Sequence, residues 1–323
     1  MQDGFGRDLH YLRLSVTERC NFRCAYCLPE GCRRPAEADV LSADELDRLV
    51  RAFSRLGFWK LRITGGEPTL RSDIVDVVGR LARVPGIRRL GLTTNGSRLL
   101  DLAPALRAAG LTALNVSLDS LDPERFARVT GVSGLESIVA GVEKALEVGI
   151  PSVKVNVVLL RGLEDLEIDR FLEWTRRLPL HVRFIELMQT GNSAAFFRSH
   201  HLPAHELRQK LEQRGWAALP KDSTDGPATM LGHLGHPGKV GVIAPYSNSF
   251  CSTCNRIRVS ASGALRLCLF GNQEIPLRPA LQPDAGEDAL DRLIESTFKA
   301  KPQSHLLDQE TLSVPPTFAA IGG

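Results

Sequence analysis

Three cysteines at CxxxCxxC spacing, Cys20, Cys24 and Cys27, stand just beyond the apolar run from Leu9 to Val16. Three thiolates bunched this tightly can ligate three irons of a 4Fe–4S cube and leave the fourth iron open to a small molecule. An open iron lets a cluster act on a bound ligand as well as pass electrons. Structural zinc sites instead prefer paired CxxC or Cys/His knuckles and four ligands. A second set, Cys251, Cys254 and Cys268, is again three: a CxxC pair, then thirteen residues and a third cysteine. Two incomplete quartets are a poor way to bind zinc twice. Clumped cysteines without a secretory leader point to metal rather than disulfides. Cys32 fits neither spacing and reads as a loop thiol.

Such a site needs elements that end beside it. Residues 9 to about 190 alternate strand-like and helix-like segments, with strands expected at 10–16, 59–64, 88–94, 112–118, 152–160 and 181–188. Helices are expected at 72–83, 99–109, 134–148 and 165–177, and between the first two strands. That first helix opens on a capping box, Ser42 with Glu45, and a staple between Leu41 and Leu46. Its apolar face runs Leu46, Leu49, Val50, Phe53, Leu56, the 3.6-residue period. Strand–helix repeats without hairpin turns mean a parallel sheet, open or curled. After about 200 the pattern changes to a helix at 203–214, then short antiparallel strands across 222–245. A hairpin follows around Ala261-Ser262-Gly263, and a last helix near 286–299. The expected division is 1–205 and 206–323.

The strands themselves carry a second signal. Parallel strands covered by helices on both faces read as nearly unbroken Val, Ile and Leu, and these do not. Arg13, Ser15 and Thr17 alternate with Leu12, Leu14 and Val16, and Lys60, Arg62 and Thr64 with Leu61 and Ile63. Asn115, Ser117 and Asp119 alternate with Leu114, Val116 and Leu118, as Lys154 and Asn156 do with Val153, Val155 and Val157. A period of two sends the apolar set to the helices and the polar set to the other face. If the sheet curls, that face is a lumen too polar for the packed interior of a closed eight-strand barrel. An incompletely closed six-strand barrel with a wet interior fits. Arg13, Lys60, Arg62 and Lys154 would share that lumen, and Arg256 and Arg258 would add two cations beside the second cysteine set. The economical partner for six such cations is a polyanion, since guanidinium forks match phosphate oxygens. Gly65-Gly66-Glu67-Pro68 follows the second strand, where glycine lets backbone approach a ligand closely. Thr93-Thr94-Asn95-Gly96 and Ser117-Leu118-Asp119-Ser120 sit at the same end of the next two strands.

CxxxCxxC with Tyr26 before the third cysteine, followed by Gly-Gly-Glu-Pro, resembles the radical S-adenosylmethionine (SAM) enzymes. Arg13-Leu14-Ser15-Val16-Thr17-Glu18-Arg19-Cys20, Cys251-Ser252-Thr253-Cys254-Asn255-Arg256-Ile257-Arg258, Leu265-Arg266-Leu267-Cys268-Leu269-Phe270-Gly271 and the final Gly322-Gly323 narrow it. Over essentially its whole length the chain resembles the GTP 3′,8-cyclase (MoaA) family of molybdenum-cofactor biosynthesis. Glu18 stands where Asp is common, Leu28 where Met is common, and Cys32 is additional; none is a cluster ligand.

The resemblance implies an α/β fold: an incomplete (β/α)6 TIM-like barrel with a C-terminal α+β domain that carries a second cluster. It implies two 4Fe–4S clusters, one on Cys20, Cys24 and Cys27 that binds SAM, the other on Cys251, Cys254 and Cys268 that holds the purine. The implied reaction converts GTP to (8S)-3′,8-cyclo-7,8-dihydroguanosine 5′-triphosphate through a 5′-deoxyadenosyl radical that takes the 3′ hydrogen. Gly66, Ser117 and Met188 match SAM-contacting positions, with Tyr26 a backbone contact. Arg13, Arg62, Thr93, Lys154, Arg256 and Arg258 match GTP-contacting positions, with Lys60 beside them on the lumen face. Arg256, Arg258 and the tail glycines Gly322 and Gly323 are cast as catalytic. Implied partners are an external electron donor, the cyclic pyranopterin monophosphate synthase that receives the product, and a second copy of the chain.

Composition bounds the alternatives. A chain of 323 residues, 43% hydrophobic and 24% charged, has ample material for a core. No stretch approaches the length needed to span a bilayer, and the start lacks a signal-peptide core, so a cytoplasmic enzyme is expected. A net charge of +3 does not argue for nucleic acid or a membrane surface. A peptide-modifying radical enzyme would not need six lumen cations. A two-cluster electron carrier would use four cysteines at each site and no polar barrel interior. A zinc scaffold or nucleic-acid module is weakened by the near-neutral charge and the lack of base-stacking aromatics.

Overall fold

The computed structural model describes residues 1–32, 40–163, 165–189, 194–222, 226–247, 250–271 and 273–305. Its first part runs β1 (Tyr11–Ser15), α1 (Ala43–Arg55), β2 (Lys60–Thr64), α2 (Ile74–Ala82), β3 (Arg89–Thr94), α3 (Leu99–Ala108), β4 (Ala113–Ser117), α4 (Pro123–Thr130), α5 (Leu135–Glu147), β5 (Val153–Leu159), α6 (Asp165–Arg177) and β6 (His181–Glu186). All six expected strands and all five expected helices of this part form. The capping box of α1 is complete: Glu45 N–H donates to Ser42 Oγ at 3.2 Å and Ser42 N–H to Glu45 Oε2 at 2.8 Å. Leu46, Leu49, Val50 and Phe53 are buried, each full burial contributing about 1.5–3 kcal/mol.

Two helices escaped the sequence reading: α4 and, further on, α7 (Ala194–His200). The signals for α4 were present. Asp122 caps it by accepting from Arg125 N–H at 3.0 Å, Pro123 opens its first turn, and Gly131 closes it with φ of 72°.

Beyond α7 come α8 (Ala204–Gln213), β7 (Ala217–Ala218), β8 (Thr229–Gly232), β9 (Lys239–Ile243), β10 (Arg256–Val259), β11 (Ala264–Arg266), β12 (Ile275–Pro276) and α9 (Glu287–Thr297). The expected hairpin joins β10 to β11 through Ala261–Gly263, with Gly263 at φ 87°. These strands do not build a sheet of their own. Among the described residues there is one twelve-stranded sheet, ordered β12-β11-β10-β1-β2-β3-β4-β5-β6-β9-β8-β7. β10 joins β1 in parallel and β9 joins β6 in parallel, so C-terminal strands flank the six-strand unit on both sides.

Register turns the alternating pattern of each strand into rows across the sheet. Leu12 pairs with Leu61, and Leu14 with Ile63, on the helix-covered face. On the other face Arg256 pairs with Tyr11, Tyr11 with Lys60 and Lys60 with Arg89; one row up, Arg258, Arg13, Arg62 and Gly91 align. Further round, Thr93, Asn115, Lys154 and His181 align, as do Ser117, Asn156, Arg183 and Gly241. A one-residue slip anywhere would exchange the two faces. Replacing Ser42 by alanine removes the acceptor for Glu45 N–H and is expected to cost about 1 kcal/mol. The readout is a lower urea midpoint with an unchanged slope; an unchanged midpoint would show the box to be idle.

Candidate active site

The polar rows converge on a cavity of about 300 Å³ lined from β1 through β6, β9 and β10, the lumen of a partial barrel. Cys20, Cys24 and Cys27 form part of its wall at the C-terminal end of the strands, together with Tyr26, Gly66, Ser117 and Met188. Arg13, Lys60, Arg62, Thr93, Lys154, Arg256 and Arg258 line it as well. Gly322 and Gly323 lie outside the described residues.

The loop of the first three cysteines hangs from the unforeseen helix. Arg23 and Ala25 N–H groups donate to the carbonyls of Thr130 and Val129 at 2.8 and 2.9 Å, the last turn of α4. Phe22 meets Phe126 of α4 edge-on, ring centres 6.0 Å apart. From the other side, Glu67 ties the loop to the sheet. Its fully buried carboxylate accepts from Thr94 Oγ1 and Asn95 N–H, each at 2.6 Å, and from Thr69 N–H at 3.0 Å. Asn95 in turn donates to Asn21 Oδ1 at 2.9 Å. Burial still lifts the Glu67 carboxyl above its usual range. The twin glycines were expected to let backbone approach a ligand; what lies against them here is the chain's own backbone. A Cβ on Gly66 would stand 2.3 Å from Arg19 O and 2.6 Å from Glu18 O. Tyr26 donates its hydroxyl to Asp119 Oδ2 at 2.7 Å, and burial raises Asp119 to about 6. Cys32 donates its thiol to Glu18 O at 3.1 Å.

Below the loop the wall is cationic. Arg89 and Arg183 join the six basic residues of the sequence reading, so eight face the cavity against two carboxylates, Asp119 and Glu186. Arg62 donates from Nε to the Tyr11 hydroxyl at 2.7 Å and from Nη1 to Leu92 O at 3.1 Å. Lys60 lies over the Tyr11 ring, 4.8 Å from its centre. Arg183 reaches Asn156 Oδ1 from Nε and Nη2 at 3.0 and 2.6 Å. Burial first, then Arg183, Arg89, Arg62 and Lys60, lowers Lys154 to about 7. Burial and neighbouring guanidinium groups press Arg183 and Arg258 down to about 9, still charged at neutral pH. Arg258 Nε and Asn115 Oδ1 are buried without a partner, an arrangement that native interiors rarely leave unanswered.

The second cysteine set sits at the opposite end of β1. Parallel pairing of Arg256 with Tyr11 puts Cys254 where β1 begins, whereas Cys20 follows the end of β1; five strand residues span roughly 17 Å. Buried cations brace this set. Lys301 donates to Arg256 O at 3.0 Å and to Leu267 O. Arg7, held by Asp3 at 2.6 Å, donates to Cys251 O at 3.0 Å and to Gln303 O and Pro302 O. Burial pushes the Cys254 thiol up, but Arg256, Lys301 and Arg258 outweigh it and bring it to about 6. Burial raises Cys20 and Cys24. None of the six cysteines is in a disulfide, and among the described residues no three His, Cys, Asp or Glu form a group that could hold a single metal ion. Three cysteine donors to a set, with no histidine among them, are a donor set that suits an iron–sulfur cube.

The sequence missed Arg89, Arg183 and Tyr11, although His181-Val182-Arg183 carries the same alternation as the strands that were read. No described helix is long and apolar enough to cross a membrane.

Comparison with known proteins matches both halves. The Radical SAM superfamily profile covers residues 14–175, and the Molybdenum Cofactor Synthesis C profile covers residues 180–307. The chain is 49% identical over 323 residues to "GTP 3′,8-cyclase" of Stenotrophomonas maltophilia, covering 100% of this chain and 99% of that one. The proteins of the same name in Aeromonas hydrophila and Yersinia pestis are 46% and 45% identical, covering all of this chain and 96% and 99% of theirs. Among solved structures, Streptococcus suis SuiB bound to S-adenosylmethionine superposes with a TM-score of 0.66 at 15% identity, over 91% of this chain and 67% of that one. A radical SAM methyltransferase of Sphaerobacter thermophilus gives 0.52 at 19% identity, over 78% and 69%. These structural likenesses establish the fold.

Gly91 tests the cationic wall. An added methyl there would lie 2.8 Å from Arg62 Cζ and Nη2, and the flexible guanidinium is what yields. Gly91→Ala is expected to swing Arg62 off the wall and weaken binding of inorganic triphosphate about tenfold, the worth of one charge-assisted bond. Calorimetric titration gives the affinity; an unchanged value would show that Arg62 does not meet the anion.

Proposed function

The chain belongs to the GTP 3′,8-cyclase family of radical SAM enzymes, and from that premise we propose that its cavity converts GTP to (8S)-3′,8-cyclo-7,8-dihydroguanosine 5′-triphosphate, the first step of molybdenum-cofactor biosynthesis. The observation that carries this reading is the pairing of a radical-SAM cysteine loop at one end of the lumen with eight basic side chains beneath it. A 4Fe–4S cube carrying SAM supplies, when bound, a one-electron cleavage that yields a carbon-centred radical.

The remaining work falls to the chain. Cys20, Cys24 and Cys27 hold the cube from the loop that α4 and Glu67 fix in place. Gly66, Ser117, Met188 and the backbone of Tyr26 hold SAM over it. Arg13, Lys60, Arg62, Lys154, Arg256 and Arg258, with Thr93 beside Arg62, hold the triphosphate and so fix the ribose beneath the cofactor. Proximity of this kind is where most of a barrel's contribution lies. Lys154, half neutral at about pH 7 in the empty cavity, takes up a proton as phosphate arrives. Cys251, Cys254 and Cys268 hold a second cube at the purine end. The support for it is three free thiols braced by Arg7 and Lys301, with Arg256 and Arg258 leading from them into the lumen.

The barrel unit is 1–205, and 206–323 carries the second cluster and brings Gly322-Gly323 to the site as catalytic elements with Arg256 and Arg258. A cytoplasmic reductant feeds electrons, and a cyclic pyranopterin monophosphate synthase takes the product; nucleic acid has no part, and the chain pairs as a homodimer.

Replacing Cys268 by serine is expected to lower iron from about eight to about four per chain after anaerobic reconstitution, to spare SAM cleavage and to abolish the cyclised nucleotide. Iron analysis with mass spectrometry of the products reads all three. Cyclised product from that variant would remove the second cube from the mechanism.

A further inference from the structure

Tyr11 sits on the lumen face among residues of opposite character. It is buried, 7% exposed, and its hydroxyl oxygen accepts from Arg62 Nε at 2.7 Å and bonds Arg13 as well. Lys60 lies over the ring, and Arg256 is its register partner on β10. The charged groups facing it are Arg13 on its own strand, Lys60 and Arg62 on β2, Arg183 on β6 and Arg256 on β10. Every one of these lines the cavity. Like charges gathered without an acceptor repel at close range. A phenol oxygen at their centre gives two guanidinium groups a common acceptor while no phosphate is present.

We propose that Tyr11 is a positioning residue, a placeholder whose oxygen holds Arg13 and Arg62 on the lumen face and yields them when the nucleotide's phosphate enters. This rests on the reading of the lumen as a nucleotide site. The electrostatics agree with the geometry: burial alone would raise the phenol, but Arg62, Arg13 and Lys60 outweigh it and bring it to about 6. The surrounding cations thus favour the phenolate while no phosphate is bound. A phosphate arriving among the same cations repels that negative charge, and the phenolate takes a proton from solvent as it lets go. A neutral phenol can then donate to a phosphate oxygen.

The sign follows. Binding coupled to proton uptake weakens as pH rises above about 6, by up to about tenfold per pH unit for one proton. Lys154, near 7, pulls the same way in every variant and cancels in the comparison.

The test is the affinity of the reconstituted enzyme for GTP, without SAM, measured between pH 6 and pH 9 by calorimetry in the wild type, Tyr11→Phe and Tyr11→Gln. Tyr11→Phe is expected to bind roughly threefold to tenfold more weakly at pH 6, the loss of one hydrogen bond, and at least as tightly as the wild type at pH 9, so the two curves cross. Tyr11→Gln keeps an acceptor that does not titrate. It is expected to match the wild type within about threefold at pH 6 and to share the shallower slope of Tyr11→Phe, which keeps the test decisive if the phenylalanine variant fails to fold. Parallel curves for wild type and variants overturn the proposal. No measurable GTP binding by the wild type overturns it together with the reading of the lumen, which separates the two failures.

Discussion

Eight basic side chains crowded onto one face of a sheet are the constraint from which the rest of this structure follows. Nothing local favours that arrangement. Each cation loses water and gains like-charged neighbours, and the result is visible in Lys154 at about 7 and in His181, lowered by burial and Lys154 to about 4. The arrangement persists because the opposite face of the same strands is committed to the core. Leu12, Leu14, Leu61, Ile63, Leu90, Leu92, Leu114 and Val116 are buried under α1, α2, α3 and α5, and strand geometry then leaves their alternates nowhere else to point. Apolar burial holds the charges together, and an anionic ligand is what relieves them.

Glycine makes room where the crowding would otherwise be steric. Arg62 lies across from Gly91 and Arg183 across from Gly241, and a Cβ at either glycine would meet the arginine, at 2.8 and 3.0 Å. At the other end of the strands the demands are different. The cysteine loop is short of regular structure, so Arg23 and Ala25 N–H go to α4, the Thr17 and Arg19 carbonyls before it accept from Gly66 and Glu67 N–H, and the Asn21 side chain links through Asn95 to Glu67. A buried carboxylate with that many donors behaves as a rivet, which explains a glutamate after Gly65-Gly66 without assigning it chemistry.

What was legible in the sequence divides along physical lines. Period-two alternation is local, so Arg13, Lys60, Arg62 and Lys154 could be placed on one face before any fold was known. The capping box of α1 and the hairpin at Ala261–Gly263 were readable for the same reason. Arg89 was hidden because Gly91 interrupts the alternation of β3. Tyr11 shares the face of Arg13 by the same alternation, but an aromatic ring carries no charge to mark it as part of the cationic set. The eight-residue α4 is shorter than the windows in which a helical period declares itself, though Asp122-Pro123 and Gly131 punctuate it. Long-range pairing left no trace at all. That β10 returns to β1 and β9 to β6 depends on which sheet edges remain free once β1 to β6 have formed, which no single segment encodes.

Arg7 has a consequence for how the molecule comes into being. Its guanidinium finds its carbonyl partners only at Cys251, Pro302 and Gln303, more than two hundred residues away. β1 likewise waits some two hundred and forty residues for β10, the strand beside it. The second cysteine set is therefore shaped by pairings that span most of the sequence, whereas the six-strand unit closes on contacts much nearer in the chain.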